Sequence, residues 1–429
     1  KGLVGGGGSA GWVGQPINYL YKDLGGVTAD HLQRYKAVTQ SSWSMKSMMG
    51  LVSDVFPIFG LHKAPYMFIS TVLALMAYTM ISFGWPLSVD GTTVMLFLCF
   101  LQIAMCDLLT EAKYAEKLKQ HPEKGPALMS FVWGGIFSMQ LVSNASVGSM
   151  VQNLGPNWCY AFALFPVALI LPALWKNWLG ETVVRHNGRR KLISRNTQVL
   201  KKQWKLFALS VLLFVVSLTM SGLGMSDVDD FTIMIVALIS SVCVLVGFYL
   251  CTPYTIFKVQ TFFFVQNLFT VSVDSGSFFF FTDDRCEFPG GPNFSKEFYL
   301  SVIGIVSSLC NCVGIWSYNK WLHKLKYRTL FCSTNILFMA VNLLNVVVYR
   351  RWNLQAGIPD MVFVLGEQTF AQIVQMWTWI PGIVILSQLC PKGVEATMYA
   401  LLAGCSNLGA NLAQHLGSYL LDALSVKPE

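Results

Sequence analysis

The chain has 429 residues, 54% hydrophobic and only 12% charged, with a mean hydropathy of +0.52. Soluble domains carry about one quarter charged residues, so the composition excludes a water-soluble globular fold and indicates an all-α polytopic membrane protein. The formal charge of +8 would suit nucleic acid, but basic loops gathered on one membrane face account for it without such a partner.

A hydrocarbon core of about 30 Å needs about 20 apolar residues per helix. Thirteen stretches qualify, near 3–21, 29–53, 65–84, 92–113, 126–150, 157–176, 205–223, 231–251, 257–281, 297–318, 329–349, 361–389 and 396–421. The first holds Gly5 to Gly8 and Ser9; with no Gly-Lys-Ser/Thr behind it this is not a phosphate loop, and it reads as a glycine-lined helix allowing close backbone approach. Arg34 and Lys36 lie in the outer third of the second stretch, where snorkelling to the interface competes with facing an anionic substrate. Lys46 lies deeper. A charge at that depth costs at least about 2.5–3.5 kcal/mol and usually faces a partner or a water-filled path, which makes Lys46 the first functional candidate. Beyond it Gly50 and Asp54 lead into a short basic loop with His62 and Lys63.

At 1.5 Å per residue, Lys46 of the second stretch and Asp107 of the fourth both fall roughly 23 Å below the outer boundary. They are predicted to meet, as a structural ion pair or as part of a site. Glu111 lies one turn from Asp107 on the same face, and such carboxylates can carry a proton or bind a cationic hydrogen-bonding edge. Trp133 beside Gly134-Gly135 is a stacking candidate. The connection from Glu181 to Lys205 is the most basic segment and reads as a solvated linker near anionic headgroups. The next two stretches, joined by Asp227, Asp229 and Asp230, look peripheral. Asp274 is expected in mid-span, facing a central cavity without a local partner. Gln368, Gln372 and Gln375, and then Asn407, Asn411, Gln414 and Ser418, form uncharged polar stripes at helical spacing.

Placing Lys1 and the loops around 54–64, 114–125, 177–204, 252–256, 319–328 and 390–395 on one side, with adjoining helix-end lysines, collects 21 of the 30 Lys and Arg. The positive-inside rule makes that side cytoplasmic, with the N-terminus and the central linker. The sequon Asn293-Phe294-Ser295 then lies outside, whereas Asn144-Ala145-Ser146 lies in mid-span and should not be modified. Four regions result: a six-helix bundle at 1–178, a basic linker at 179–204, two added helices at 205–252, and a second bundle at 253–429 with five of six helices. Gly50 to Asp54 before Lys63 is echoed by Gly314 to Tyr318 before Lys320, suggesting related halves of the kind that build major-facilitator transporters.

The eleven cysteines, Cys310-x-Cys312 included, lie mostly in or beside apolar stretches, without disulfide-framework or zinc spacing. The six histidines are scattered, with no H-E-x-x-H and no nucleophile elbow. Neither an enzyme, a metal site nor a cofactor is indicated.

Several blocks resemble the folate-biopterin transporter family of the major facilitator superfamily. Cys390-Pro-Lys-Gly-Val-Glu395-Ala-Thr397 followed by Ser406-Asn407-Leu-Gly409 is similar to its C-terminal signature. Ser44 to Tyr66, with Lys46, Gly50, Asp54 and Pro57, resembles its second-helix block. Asp107-x-x-x-Glu111-Ala112 with Glu116, and Asp274 with its phenylalanines, resemble two further blocks. Glu111 stands where aspartate is more usual, lengthening that carboxylate arm, and His62 precedes Lys63 where a fuller basic cluster is common. The resemblance implies proton-coupled secondary active uptake of pteridines, folate or biopterin, across the plasma membrane by alternating access. Asp107, Glu111 or Asp274 would read the pterin's donors, Lys46 or Arg34 would draw an anionic tail, and Glu395 and Asn407 would belong to the gate. Some similar proteins carry S-adenosylmethionine instead, and the intramembrane carboxylates would serve that cation as well.

Overall fold

The computed structural model describes residues 8–120, 125–181, 183, 203–284, 290–390 and 395–426. Among these residues there is no strand, only an isolated bridge between Ile58 and Leu61. Helices occupy each of the thirteen predicted stretches, though residues 3–7 of the first, with Gly5 to Gly7, lie outside the described residues. Nine helical segments among the described residues are long and apolar enough to cross a bilayer; the other four stretches are broken or carry buried polar residues.

The first stretch is two helices, α1 (Gly8–Gly14) and α2 (Ile17–Leu24), because Pro16 lacks the N–H that would continue α1. The second, expected to be continuous, comprises α3 (Ala29–Gln40), a 3₁₀ turn at Ser41–Trp43, and α4 (Lys46–Val55). No proline breaks it. Ser41 Oγ instead donates to the Val38 carbonyl at 2.8 Å, the local competition with helix bonding that serine offers. Asn411 and Asn407 then donate to the carbonyls of Ala37, at 2.6 Å, and Trp43, at 3.3 Å. The chain continues through α5 (Ala64–Ser82), α6 (Val89–Gln120), α7 (Gly125–Asn153), α8 (Asn157–Ala168) and α9 (Ile170–Trp175).

The two added helices are α10 (Trp204–Gly224) and α11 (Asp230–Cys251). Leu213, Ile233 and Val244 share one core with Phe264 of the next helix and Leu408 near the C-terminus, and α10 also packs on α3 and α4. The stretch expected at 257–281 is interrupted, giving α12 (Tyr254–Phe269) and α13 (Asp274–Thr282). Next come α14 (Ile303–Ser317), flanked by π turns, then α15 (Tyr327–Leu343), α16 (Asn345–Tyr349), α17 (Trp352–Gln355), α18 (Asp360–Gln388) and α19 (Glu395–Ala423).

The break before α13 is held from two helices. Gln33 of α3 donates to the Ser272 carbonyl at 3.2 Å and accepts from the Ser275 N–H at 3.2 Å. On α19, Gly417 lets the backbone in: a Cβ there would lie 1.9 Å from the Ser272 oxygen. The halves meet along two seams, α3 with α19 and α7 with α14. At the second seam Asn144 is buried and donates to the Gly304 carbonyl and Ser308 Oγ, each at 2.8 Å, while Ala145 beside it is exposed.

Candidate functional site

Between the halves lies a cavity of about 660 Å³. Its charged wall comes from α4 and α6. Lys46 Nζ donates to Asp107 Oδ2 at 2.6 Å, with the two side chains 9% and 11% exposed, so the predicted meeting occurs. Lys46 is the first residue of α4, where the helix dipole disfavours a cation. The Asp107 carboxylate offsets that, and the Trp43 ring lies 4.3 Å from the ammonium. Glu111 also lines the cavity and accepts from the Tyr114 hydroxyl at 3.2 Å. The aromatic part holds Trp133, whose ring meets Trp379 edge-on at 5.5 Å and Phe137 at 5.8 Å. A Cβ added at Gly134 or Gly135 would meet nothing within 4 Å, so both glycines border open space.

The opposite wall is made of uncharged amides: Gln266 and Asn267 of α12, Asn311 of α14, Asn335 of α15, Gln375 of α18 and Asn407 of α19. Gln266 donates to Asn335 at 3.2 Å, while Gln266 Oε1 and Asn311 Oδ1 have no hydrogen-bond partner. Of the two polar stripes in the sequence, only Gln375 and Asn407 face this space. The other four amides, along with Trp43, escaped sequence reasoning because isolated Asn and Gln in apolar helices show no periodicity.

Two predicted residues lie elsewhere. Arg34 neither snorkels nor reaches the cavity: it is buried, with Nη1 on Asp230 Oδ1 at 3.0 Å and Nη2 on the carbonyls of Leu223, at 3.3 Å, and Ser226. Asp274 is exposed at the start of α13 and does not line the cavity. The break at 270–273 places it at the start of α13, where its charge acts on Lys36 of α3.

The gate candidates gather at the far end of α4. Gly50 faces Leu108, which an added Cβ would meet at 3.4 Å. Asp54 is half-buried in the last turn of α4. Lys63 is buried. Its N–H and that of Ala64 donate to the two carboxylate oxygens of Glu181 at 2.9 and 2.8 Å, an anion on the N-terminus of α5. Asn177 exchanges two 3.0 Å bonds with the Glu181 backbone. Glu181 had seemed only the edge of the linker. Glu395 opens α19, and its side chain, like that of Glu116, lies outside the described residues. Glu367, buried in α18 with Asn345 and Gln368 as donors, was legible as an intramembrane carboxylate yet was passed over.

One buried lysine–carboxylate pair, a second carboxylate, indole faces and an amide wall can hold a planar hydrogen-bonding molecule between the halves. Among the described residues no three His, Cys, Asp or Glu side chains are grouped to hold a metal ion.

A cavity enclosed by two helical bundles of this connectivity defines a multi-pass membrane transporter of the major-facilitator type. A solved peptide transporter of the POT family in complex with sulfate shares the fold at TM-score 0.67 and 14% identity, covering 96% of this chain and 86% of that one. A D-xylose–proton symporter matches at TM-score 0.54 and 13% identity, over 96% and 88%. The sequence profile of the BT1 family matches residues 9–429, and the chain belongs to that family. Its relatives include "Probable folate-biopterin transporter 6" of Arabidopsis thaliana, 26% identical over 95% of this chain and 72% of the relative. The folate-biopterin transporter of Synechocystis is 22% identical over 96% and 71%, and folate transporter 1 of Plasmodium falciparum is 21% identical over 96% and 69%.

Proposed function

We propose that the chain is a secondary active transporter of pteridines, folate or biopterin, driven by protons through alternating access. The observation that carries this reading is the cavity itself, with Lys46, Asp107 and Glu111 on one wall and six uncharged amides on the other. A pterin presents adjacent ring N–H and amino donors, which suit a bidentate carboxylate. Its ring suits Trp133 and Trp379, and a glutamate tail suits Lys46. Glu111 or Asp107 reads the pterin in this scheme. Gly50, Asp54, Lys63 and Glu395 serve the gate, and Asn407 serves both gate and cavity. The names of the relatives support the substrate class. Loop charge supports a plasma-membrane orientation with the N-terminus and central linker in the cytoplasm.

The test is uptake of labelled folate and biopterin into vesicles holding the purified protein, at two pH values and with unlabelled competitors. Uptake that is saturable, steeper under an inward proton gradient and competed by pteridines supports the reading. Uptake competed by S-adenosylmethionine and by no pteridine overturns it.

A further inference from the structure

A second buried polar cluster lies apart from the cavity, where α3, the α10–α11 turn and α19 meet. Arg34 joins the first two, through Asp230 at 3.0 Å and the Leu223 and Ser226 carbonyls. From α19, the ring of His415 presses on the same place: a Cβ on Gly224 would lie 3.2 Å from its Cε1. His415 is fully buried and Asp230 is 3% exposed. Four polar atoms here have no hydrogen-bond partner: Arg34 Nε, Asp230 Oδ2, and both ring nitrogens of His415. Buried polar atoms are paired in the great majority of cases, so four in one contact mark a network with open positions. Asp30 on α3, which His31 approaches at 3.6 Å, and Asp422 on α19 act on Asp230, with the Ser418 hydroxyl of α19 beside it; Asp227 in the turn acts on Tyr35, and the cap Asp229 is exposed.

Position gives the cluster its consequence. The adjoining seam is held by Asn407, Asn411 and Gln414 of α19 on the Trp43 carbonyl, the Ala37 carbonyl and Gln40. Arg34 pins the added hairpin across that seam, because α10 touches α3, α4 and α19. Parting α3 from α19 at this end therefore disturbs the cluster.

We propose that Arg34, Asp230 and His415 form a proton-binding latch: one proton supplied by solvent as the seam parts binds Asp230 Oδ2, and the neutral acid loosens its hold on Arg34. His415 then offers the freed guanidinium a bare ring nitrogen on α19, and the proton returns to solvent when the latch closes. The latch sets how readily this end opens and carries no substrate. Its effect on flux rests on the transport reading above; its effect on the seam does not.

Two measurements test it. In vesicles with equal pH on both sides, pteridine exchange by the unaltered protein should rise at least threefold between pH 7.5 and 5.5. Asp230→Asn, permanently neutral, should be fast and vary less than 1.5-fold over that range, and Asp230→Glu should restore the pH dependence. In detergent without substrate, amide protection across 223–230 and 411–418, corrected for the intrinsic pH dependence of exchange, should fall at the lower pH in the unaltered protein and be low at both in Asp230→Asn. A pH response of both readouts in Asp230→Asn equal to that of the unaltered protein overturns the latch, as does the same protection at both pH values in the unaltered protein. A responsive seam with no pteridine exchange overturns the transport reading and leaves the latch standing. If Asp230→Asn fails to fold, the Asp230→Glu variant and the unaltered protein still decide through the amide-exchange measurement.

Discussion

Replacing Lys46 by methionine takes away the ammonium that lies 2.6 Å from the buried Asp107 carboxylate. Breaking a buried pair in this way costs about 3–5 kcal/mol. With roughly a tenth of each side chain exposed, water discounts the figure only modestly. At about 1.4 kcal/mol per tenfold change, K46M should shift the folding equilibrium by roughly two to three and a half orders of magnitude. The double variant K46M/D107L removes both charges and should recover most of that loss, since apolar replacement of a buried pair is often neutral or better. Transport separates the roles. If the pair touches substrate, the double variant loses one or two charge-assisted hydrogen bonds worth about 1.5–3 kcal/mol each and stays at least tenfold below the unaltered protein in pteridine uptake. Thermal unfolding in detergent and initial uptake rates in vesicles, both normalised to folded protein, give the two numbers. Recovery of uptake together with stability would refute the site assignment and reduce Lys46–Asp107 to a clamp between α4 and α6.

Gly417→Ala should abolish folded protein on size-exclusion chromatography, because its Cβ would lie 1.9 Å from backbone oxygen. Gly134→Ala, with nothing within 4 Å, should instead be stable or gain about 0.5–1 kcal/mol from helix propensity. Glu181→Ala strips the carboxylate from two N–H groups of α5 and should cost about 1–2 kcal/mol in thermal unfolding, at the upper end for a cap. Asp229 accepts from the Thr232 N–H at 2.9 Å and hydroxyl at 2.8 Å, which holds its carboxyl below the usual range. Because that folded value is depressed, the cap is fully present above the ordinary carboxylate pKa of about 3.9 and is lost as pH falls through the lower folded value. Amide protection at the start of α11, corrected for the intrinsic pH dependence of exchange, should therefore fall only at strongly acidic pH, and Asp229→Asn should not share the change.

Composition and a 20-residue count were enough to place thirteen helical stretches, since lipid demands length and apolarity from any helix it surrounds. Depth counting was enough for Lys46 and Asp107, because a straight helix converts residue number into distance. Asp274 and Arg34, in contrast, lie away from the cavity that the sequence reading offered them. For Asp274 the cause is the break at 270–273, stabilised by Gln33 and Gly417, which lie 237 or more residues away in the chain or well over a hundred, respectively. For Arg34 the cause is the Asp230 carboxylate in a hairpin whose overall apolarity suggested a lipid-facing place. Tertiary partners decided both positions, and neither partner carries a local signal. Glu181 was missed for a related reason: its partners are backbone N–H groups, which every sequence contains.

The two helix breaks share a neighbour. Asn407 and Asn411 of α19 satisfy carbonyls at the α3–α4 break, and Gly417 of the same helix admits the backbone of the α12–α13 break. Freed backbone groups inside a membrane need such partners. The partners used at the α3–α19 seam are amides, each worth about 0.5–1.5 kcal/mol net, whereas the buried ion pair within the first half costs about 3–5 kcal/mol to break. Three amide bonds can be exchanged for others, or for water, as the halves part in the proposed cycle. An ion pair across the same seam would hold it shut. Lys46–Asp107 accordingly lies within the first half, whereas Lys22–Asp283 at 2.7 Å and Arg34–Asp230 at 3.0 Å join that half to later segments and must break or move with them as the halves part.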